Sequence, residues 1–213
     1  MKKLRISALL VFLIVAAVCV SAQSAGQRAT SVRVEKEPNG IYGPLFVTIA
    51  GTEKKVTGEA QQAWIINGGR HVVYSSSQGA GGYENEGQGL HVYDIATNKH
   101  KRVMSEYYMV DDVKEVVTST KKRALLVKLS DGGLGAEYVA VVDPGRGEVF
   151  RRGWARILSQ KGDTIVLGLY KESDWEKLNS GEEAKVRPYK RETHNLNSIL
   201  KRRVIFNKRH DPL

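Results

Sequence analysis

From Val32 onward the apolar residues fall in short runs separated by turn formers. Leu45-Phe46-Val47-Thr48-Ile49, Val72-Val73-Tyr74, Ala124-Leu125-Leu126-Val127, Tyr138-Val139-Ala140-Val141-Val142 and Ile165-Val166-Leu167 have the length and the β-branched or aromatic content of strands. Several lack apolar–polar alternation, which predicts burial on both faces. Between the runs stand Asn67-Gly68-Gly69, Ser130-Asp131-Gly132-Gly133, Asp143-Pro144-Gly145-Arg146-Gly147 and Lys161-Gly162-Asp163. Glycine supplies positive φ in such turns, and Asp or Asn closes them with its own side chain. The one helical signal is residues 173–178 (SDWEKL), where Ser173 and Glu176 have capping-box spacing. It predicts a turn or two of helix inside a loop. The pattern as a whole predicts an all-β antiparallel protein of about a dozen short strands.

The runs also repeat. Residues 91–103 (HVYDIATNKHKRV) read as strand, turn, strand, and residues 46–56 and 139–150 follow the same plan. A second hairpin precedes the later copies, at 65–74, 116–127 and 157–166. Equivalent positions recur at roughly forty to fifty residues, the spacing of a four-stranded blade. On that spacing the chain resembles the WD40-like β-propeller repeats of exported bacterial proteins over roughly residues 45–204. The resemblance implies four-stranded sheets around an axis. The Trp-Asp signature and its paired Gly-His are missing. The first unit supplies only its outer hairpin, so three and a half units fall short of a ring of about four to eight blades. An incomplete propeller, a β-sandwich and an open meander all accommodate these hairpins.

The N-terminus reads differently. Residues 1–5 (MKKLR) are basic, residues 6–20 are apolar, and Val20-Ser21-Ala22 offers small residues before Gln23. This is the three-part pattern of a secretory signal. It predicts a signal peptide at 1–22, a flexible leader at 23–31, a β-repeat domain at 32–204 and a basic tail at 205–213. It also predicts an exported, periplasmic or extracellular protein with no transmembrane segment after cleavage. The only cysteine, Cys19, lies inside the signal, preceded by Val18 rather than the small residue that lipid attachment wants. A mature chain would therefore have no disulfide, no thiolate zinc site and no cysteine nucleophile.

The whole chain has 33 Lys and Arg against 23 Asp and Glu, a formal charge of +10. Residues 23–183 carry 21 of each sign, and residues 184–213 hold nine basic side chains against Glu192 and Asp211. The excess is therefore local. It gives no support to a nucleic-acid partner for the body.

Candidate chemistry is sparse. The segment 75–89 (SSSQGAGGYENEGQG) could form a ligand-contacting loop, with Tyr83 as a stacking surface and Glu84 and Glu86 as acceptors. No Gly-Lys-Ser/Thr follows it, so it is not a phosphate loop, and the plainer reading is a long hairpin loop. Asp111, Asp112 and Asp131 could offer oxygen to a hard cation, but no EF-hand spacing is present. His71, His91, His100, His194 and His210 show no paired metal spacing, and no Gly-x-Ser-x-Gly elbow exists. Tyr107, Tyr108, Trp64, Trp154 and Trp175 could line a sugar-binding surface or simply fill a core. Lys201, Arg202, Arg203, Lys208 and Arg209 could contact an anionic surface by counterion release. The apolar residues Ile199, Leu200, Val204, Ile205 and Phe206 interleave with them and predict a final strand that closes on the N-terminal unit. The reading that joins these signals is an exported β-repeat binding or interaction module. It has no catalytic signature, cofactor or metal, and its expected partner is a protein or an envelope polysaccharide. The alternatives are a carbohydrate-active enzyme whose carboxylates converge only in the fold, and an envelope-associated protein held by its basic C-terminal segment.

Overall fold

Four antiparallel meander sheets follow one another in chain order. The first contains β1 (Ala29–Val34), β2 (Gly43–Ile49) and β3 (Thr52–Ala60). The second contains β4 (Gln62–Ile66), β5 (His71–Ser77), β6 (Gln88–Asp94) and β7 (Lys99–Ser105). The third contains β8 (Met109–Val117), β9 (Arg123–Ser130), β10 (Glu137–Asp143) and β11 (Gly147–Gly153). The fourth contains β12 (Ala155–Lys161), β13 (Thr164–Leu169) and β14 (Lys190–Asn195). Two short helices, α1 (Trp175–Asn179) and α2 (Leu196–Ile199), flank β14. This computed structural model describes residues 26–36, 38, 40–77, 88–105, 109–130, 136–179 and 186–205. The expected signal peptide therefore lies outside the described residues. No helix among them is long and apolar enough to cross a membrane.

The sheets pack face to face in series. Val72 and Tyr74 of β5 join Leu45 and Val47 of β2 in one core cluster, while Val73 between them faces the third sheet. In β9, Leu125, Val127 and Leu129 pack toward the second sheet, and Ala124 and Leu126 pack toward the fourth. In β10, Ala140 and Val142 face one way and Val139 and Val141 the other. The unbroken apolar runs thus mark strands with a sheet on each side, because successive side chains alternate between faces. The expectation of two-sided burial fails for the end sheets. Phe46 and Thr48 of β2 and Val166 of β13 are only half-buried, while their neighbours Leu45, Val47, Ile165 and Leu167 are fully buried. Among the described residues no core cluster joins the first sheet to the fourth.

Two local details depart from the sequence expectations. β1 begins at Ala29, within the stretch read as flexible leader, and pairs with β2 to give the first sheet a third strand. Residues 199–205 make no final strand. Instead the Asn195 side chain accepts from Ser198 N–H, α2 starts there, and Ile199 and Leu200 bury against the cluster between the third and fourth sheets. The 170–179 loop does hold a short helix, α1, and ahead of it the Asp174 side chain accepts from the Lys171 N–H at 3.2 Å.

The meander gives the stack two unlike ends. Tight turns at 50–51, 67–70, 95–98, 118–122, 143–146 and 162–163 gather at one end. The connectors between sheets and the longer connections lie at the other, with single residues, Gln61 and Trp154, joining the first sheet to the second and the third to the fourth. Polar contacts tie each sheet to the next at the turn end. Lys54 donates to Asn98 at 2.6 Å. The Asn67 N–H donates to the Glu115 carboxylate at 3.0 Å. The Ser119 N–H donates to Asp163 at 2.7 Å, and Asn197 donates to the same carboxylate at 2.6 Å. These bonds hold the Asp163 carboxyl below its usual range, chiefly through Ser119. Gly69, at φ +86, lies against the first sheet: a Cβ there would stand 2.6 Å from the Ala29 carbonyl oxygen.

Candidate functional site

At the connector end, the chain passes from β11 into β12 through one residue, Trp154, whose φ is +54. An aromatic residue in that region is a strained outlier that its surroundings must hold in place. What holds it is visible. Its carbonyl accepts the Tyr170 N–H at 3.0 Å, and its ring packs 5.8 Å from Trp175. Trp175, on α1, is 2% exposed, with Tyr170 edge-on at 5.7 Å and the Arg156 guanidinium over its face at 5.3 Å. Arg156 in turn pairs with Glu137 of β10 at 2.6 Å, tying β12 to the third sheet. The aromatic cluster is therefore anchored by an ion pair on one side and by the β11–β12 connector on the other.

Beside this cluster opens a cleft of about 310 Å³, lined by Arg152, Trp154, Tyr170, Lys171, Glu172 and Tyr189 among others. Tyr189, just before β14, is 59% exposed, so much of its side chain is open to solvent beside the cleft. Arg152, one of the lining residues, belongs to a charged cluster outside the cleft. Glu192 accepts from Lys190 at 2.9 Å and from Arg152 at 3.0 Å. The Lys190 hydrogen bond above all, with the Arg152 charge behind it, keeps the Glu192 carboxyl below its ordinary range despite some burial. His194 stands 3.4 Å from the other Glu192 oxygen and 4.9 Å from the Phe150 ring. The cleft thus combines aromatic side chains with the Arg152, Lys171 and Glu172 charges, a composition suited to a small ligand, and is near the lower end of the usual volume range.

The residues singled out from the sequence scatter. Tyr83, Glu84, Glu86, Lys208 and Arg209 lie outside the described residues, as do Tyr107, Tyr108, Asp131 and His210. Of the tryptophans, Trp154 lines the cleft, Trp175 is core beneath it, and Trp64 packs against the cluster between the second and third sheets. Asp111 is drawn inward and accepts from Ser130 at 2.8 Å, and its burial raises its carboxyl, whereas Asp112 is exposed. No group of three metal-ligating side chains converges among the described residues. His91 stacks on Tyr74 at 5.0 Å, and the Tyr74 hydroxyl meets His100 Nδ1 at 2.9 Å. Burial pushes Tyr74 up to about 12 and lowers His100. Lys201, Arg202 and Arg203 are exposed at the turn end.

Arg152, Tyr170 and Tyr189 were not among the sequence candidates. The available signal was Gly153-Trp154 between two β runs, a place where a bulky residue interrupts strand pairing. No protein-family model matches the chain, and no curated protein is significantly similar to it.

Proposed function

We propose that this protein is a β-repeat binding module that takes a saccharide in the Trp154–Tyr189 cleft. The observation that carries the reading is the pairing of open aromatic surface at Tyr189 and Trp154 with a rim of Arg152, Lys171 and Glu172. Sugar rings present apolar C–H faces that pack on aromatic rings, and hydroxyls that need fixed charged or polar partners at the edge. The serial packing of four meander sheets supports the propeller-like repeat. In such a scaffold the binding surface is made by connections at one end of the strands. Binding is favoured over hydrolysis by the cleft's lining, in which Glu172 is the single carboxylate among the described residues, whereas glycosidic cleavage canonically uses a pair. Glu148, whose carboxyl is raised, is sealed between sheets and paired with Arg151.

The test is a glycan array probed with the full chain and with Tyr189→Ala. Tyr189 is mostly solvent-exposed, so its loss should leave thermal stability within about 0.5 kcal/mol. Affinity for any glycan bound should drop at least about fivefold, in line with the loss of one aromatic contact. Equal binding by both proteins would remove the cleft from the mechanism. Turnover of the glycan, abolished by Glu172→Gln, would replace binding with catalysis.

A further inference from the structure

The opposite, turn end of the stack carries a second feature that the saccharide reading does not use. A groove of about 590 Å³ runs between the β8–β9 turn and the β10–β11 turn, with the segment after α2 as its third side. Lys121, Lys122 and Arg123 line one wall, Asp143, Pro144 and Arg146 another, and Leu200 and Lys201 complete it. Five cations thus face one carboxylate.

The arrangement is built, and it joins residues far apart in the chain. Asp143 accepts from the N–H groups of Gly145 and Arg146, at 2.9 and 3.2 Å, and from Arg146 Nε at 2.7 Å. The same guanidinium donates to the carbonyls of Leu200 and, at 3.4 Å, Arg202. Arg146 is therefore the strut that brings Lys201 up to the turns, and its single acidic neighbour is fully engaged. Arg123 pairs with Glu115 at 2.8 Å. No carboxylate among the described residues pairs with Lys121, Lys122 or Lys201. Lys121 also sits at φ +63, where a turn ordinarily takes Gly or Asn, so a lysine there costs about 1–2 kcal/mol of backbone strain. A position where glycine would be more stable holds a charge instead.

We infer that this groove binds a linear anionic glycan, with Lys121, Lys122 and Lys201 as the contacting cations and Arg146 as a positioning residue. The cations stand on three sides of a groove, which suits an elongated chain laid between them better than a flat lipid surface. It has no aromatic lining on which bases could stack, the feature that single-strand nucleic-acid grooves share. A polymer with carboxylate, sulfate or phosphate groups along one strand can meet three lysines that line one groove without either requirement. The groove and the cleft lie at opposite ends of strands seven residues long, roughly 20 Å apart, so a single extended polymer could contact both.

The test measures binding of fluorescent polygalacturonate and heparin to the full chain at 50 and 200 mM salt. Phosphatidylglycerol vesicles and a single-stranded oligonucleotide serve as competing arms. The variants are Lys121→Gly, the triple Lys121→Gly/Lys122→Gln/Lys201→Gln, and Lys208→Gln/Arg209→Gln. The wild type should bind one of the polysaccharides in a salt-sensitive way. The triple variant should lose at least about tenfold in affinity and flatten the salt dependence. Lys121→Gly alone should weaken binding while its melting temperature holds or rises. If the triple variant melts early, Lys201→Glu alone is read in its place. Undiminished binding by the groove variants, loss only on changing Lys208 and Arg209, or tighter binding of vesicles or oligonucleotide than of either polysaccharide would each overturn the inference.

Discussion

Glu148, near the start of β11, is 2% exposed, yet its carboxylate accepts two hydrogen bonds from Arg151 three residues on, one of them at 2.7 Å. Both residues sit opposite apolar partners, Val142 and Ala140, which face the second sheet, so the pair lies between sheets. Burial pushes the Glu148 carboxyl up to about 8 and lowers the Arg151 guanidinium, so desolvation works against a pair that its own hydrogen bonds hold together. The sign of the pH effect follows. Between the ordinary glutamate value of 4.5 and about 8, the folded protein holds a proton that the unfolded chain releases. The unfolded state binds fewer protons in that window, so stability falls as pH rises through it and levels off above. Urea midpoints at pH 5, 6.5 and 8 should decline in that order for the wild type, and Glu148→Gln should remove most of the slope. A wild-type profile that rises over the same range would mean that the Arg151 charge, and not desolvation, governs the pair.

The elements show which parts of the fold local pattern can specify. β9 and β10 were legible because burial on both faces needs nothing beyond a run such as Ala124-Leu125-Leu126-Val127. β1 was not, because Thr30, Ser31 and Arg33 point outward at the end of the stack and make residues 29–34 look like a polar leader. Arg33 spans the outer face, pairing with Glu53 at 3.0 Å and lying over Phe46 at 4.7 Å, a contact across strands that spacing does not reveal. The C-terminal apolar residues were expected to bury, and Ile199 and Leu200 do, whereas Ile205 is 51% exposed. Interleaved apolar and basic residues fit a strand or a helical turn equally well, and the Asn195 cap decides for the turn. The cleft was half legible: Trp154 was one of five aromatics read as sugar surface or core, and its partner Tyr189 is brought beside it only by the return from α1 to β14. Trp154 also makes an element-level prediction. Glycine is ordinarily less stable than alanine in a β context, but at φ +54 alanine retains the strain and glycine does not. Both substitutions lose the same ring, so Trp154→Gly should be more stable than Trp154→Ala by about 1 kcal/mol in urea unfolding. The reverse order would mean that the connector relaxes out of the left-handed region once the ring is gone.

For the whole molecule, the decisive property is that, among the described residues, the core clusters join each sheet only to the sheets before and after it in the chain. The three large core clusters join first to second, second to third, and third to fourth sheet, and the tight-turn contacts Lys54–Asn98, Asn67–Glu115 and Ser119–Asp163 follow the same order. Stability in such a series is a sum of sheet and interface terms, so the two end sheets, each with one covered face, are the least protected. Leu45 and Leu125 are both fully buried, but Leu45 lies in the first interface and Leu125 in the central one. Truncating either to alanine should cost about 2–5 kcal/mol locally. In native-state hydrogen exchange, Leu45→Ala should speed exchange in β1–β3 and leave β9–β13 close to wild type. Leu125→Ala should lower protection in all four sheets, because it weakens an interface that both halves share. The two variants also separate the series from a closed ring. If the first sheet packed against the fourth, Leu45→Ala would weaken one of two supports and its effect would reach β12–β14 as strongly as β4–β7. Protection that decays with distance along the stack, sheet by sheet, is the signature of the open arrangement.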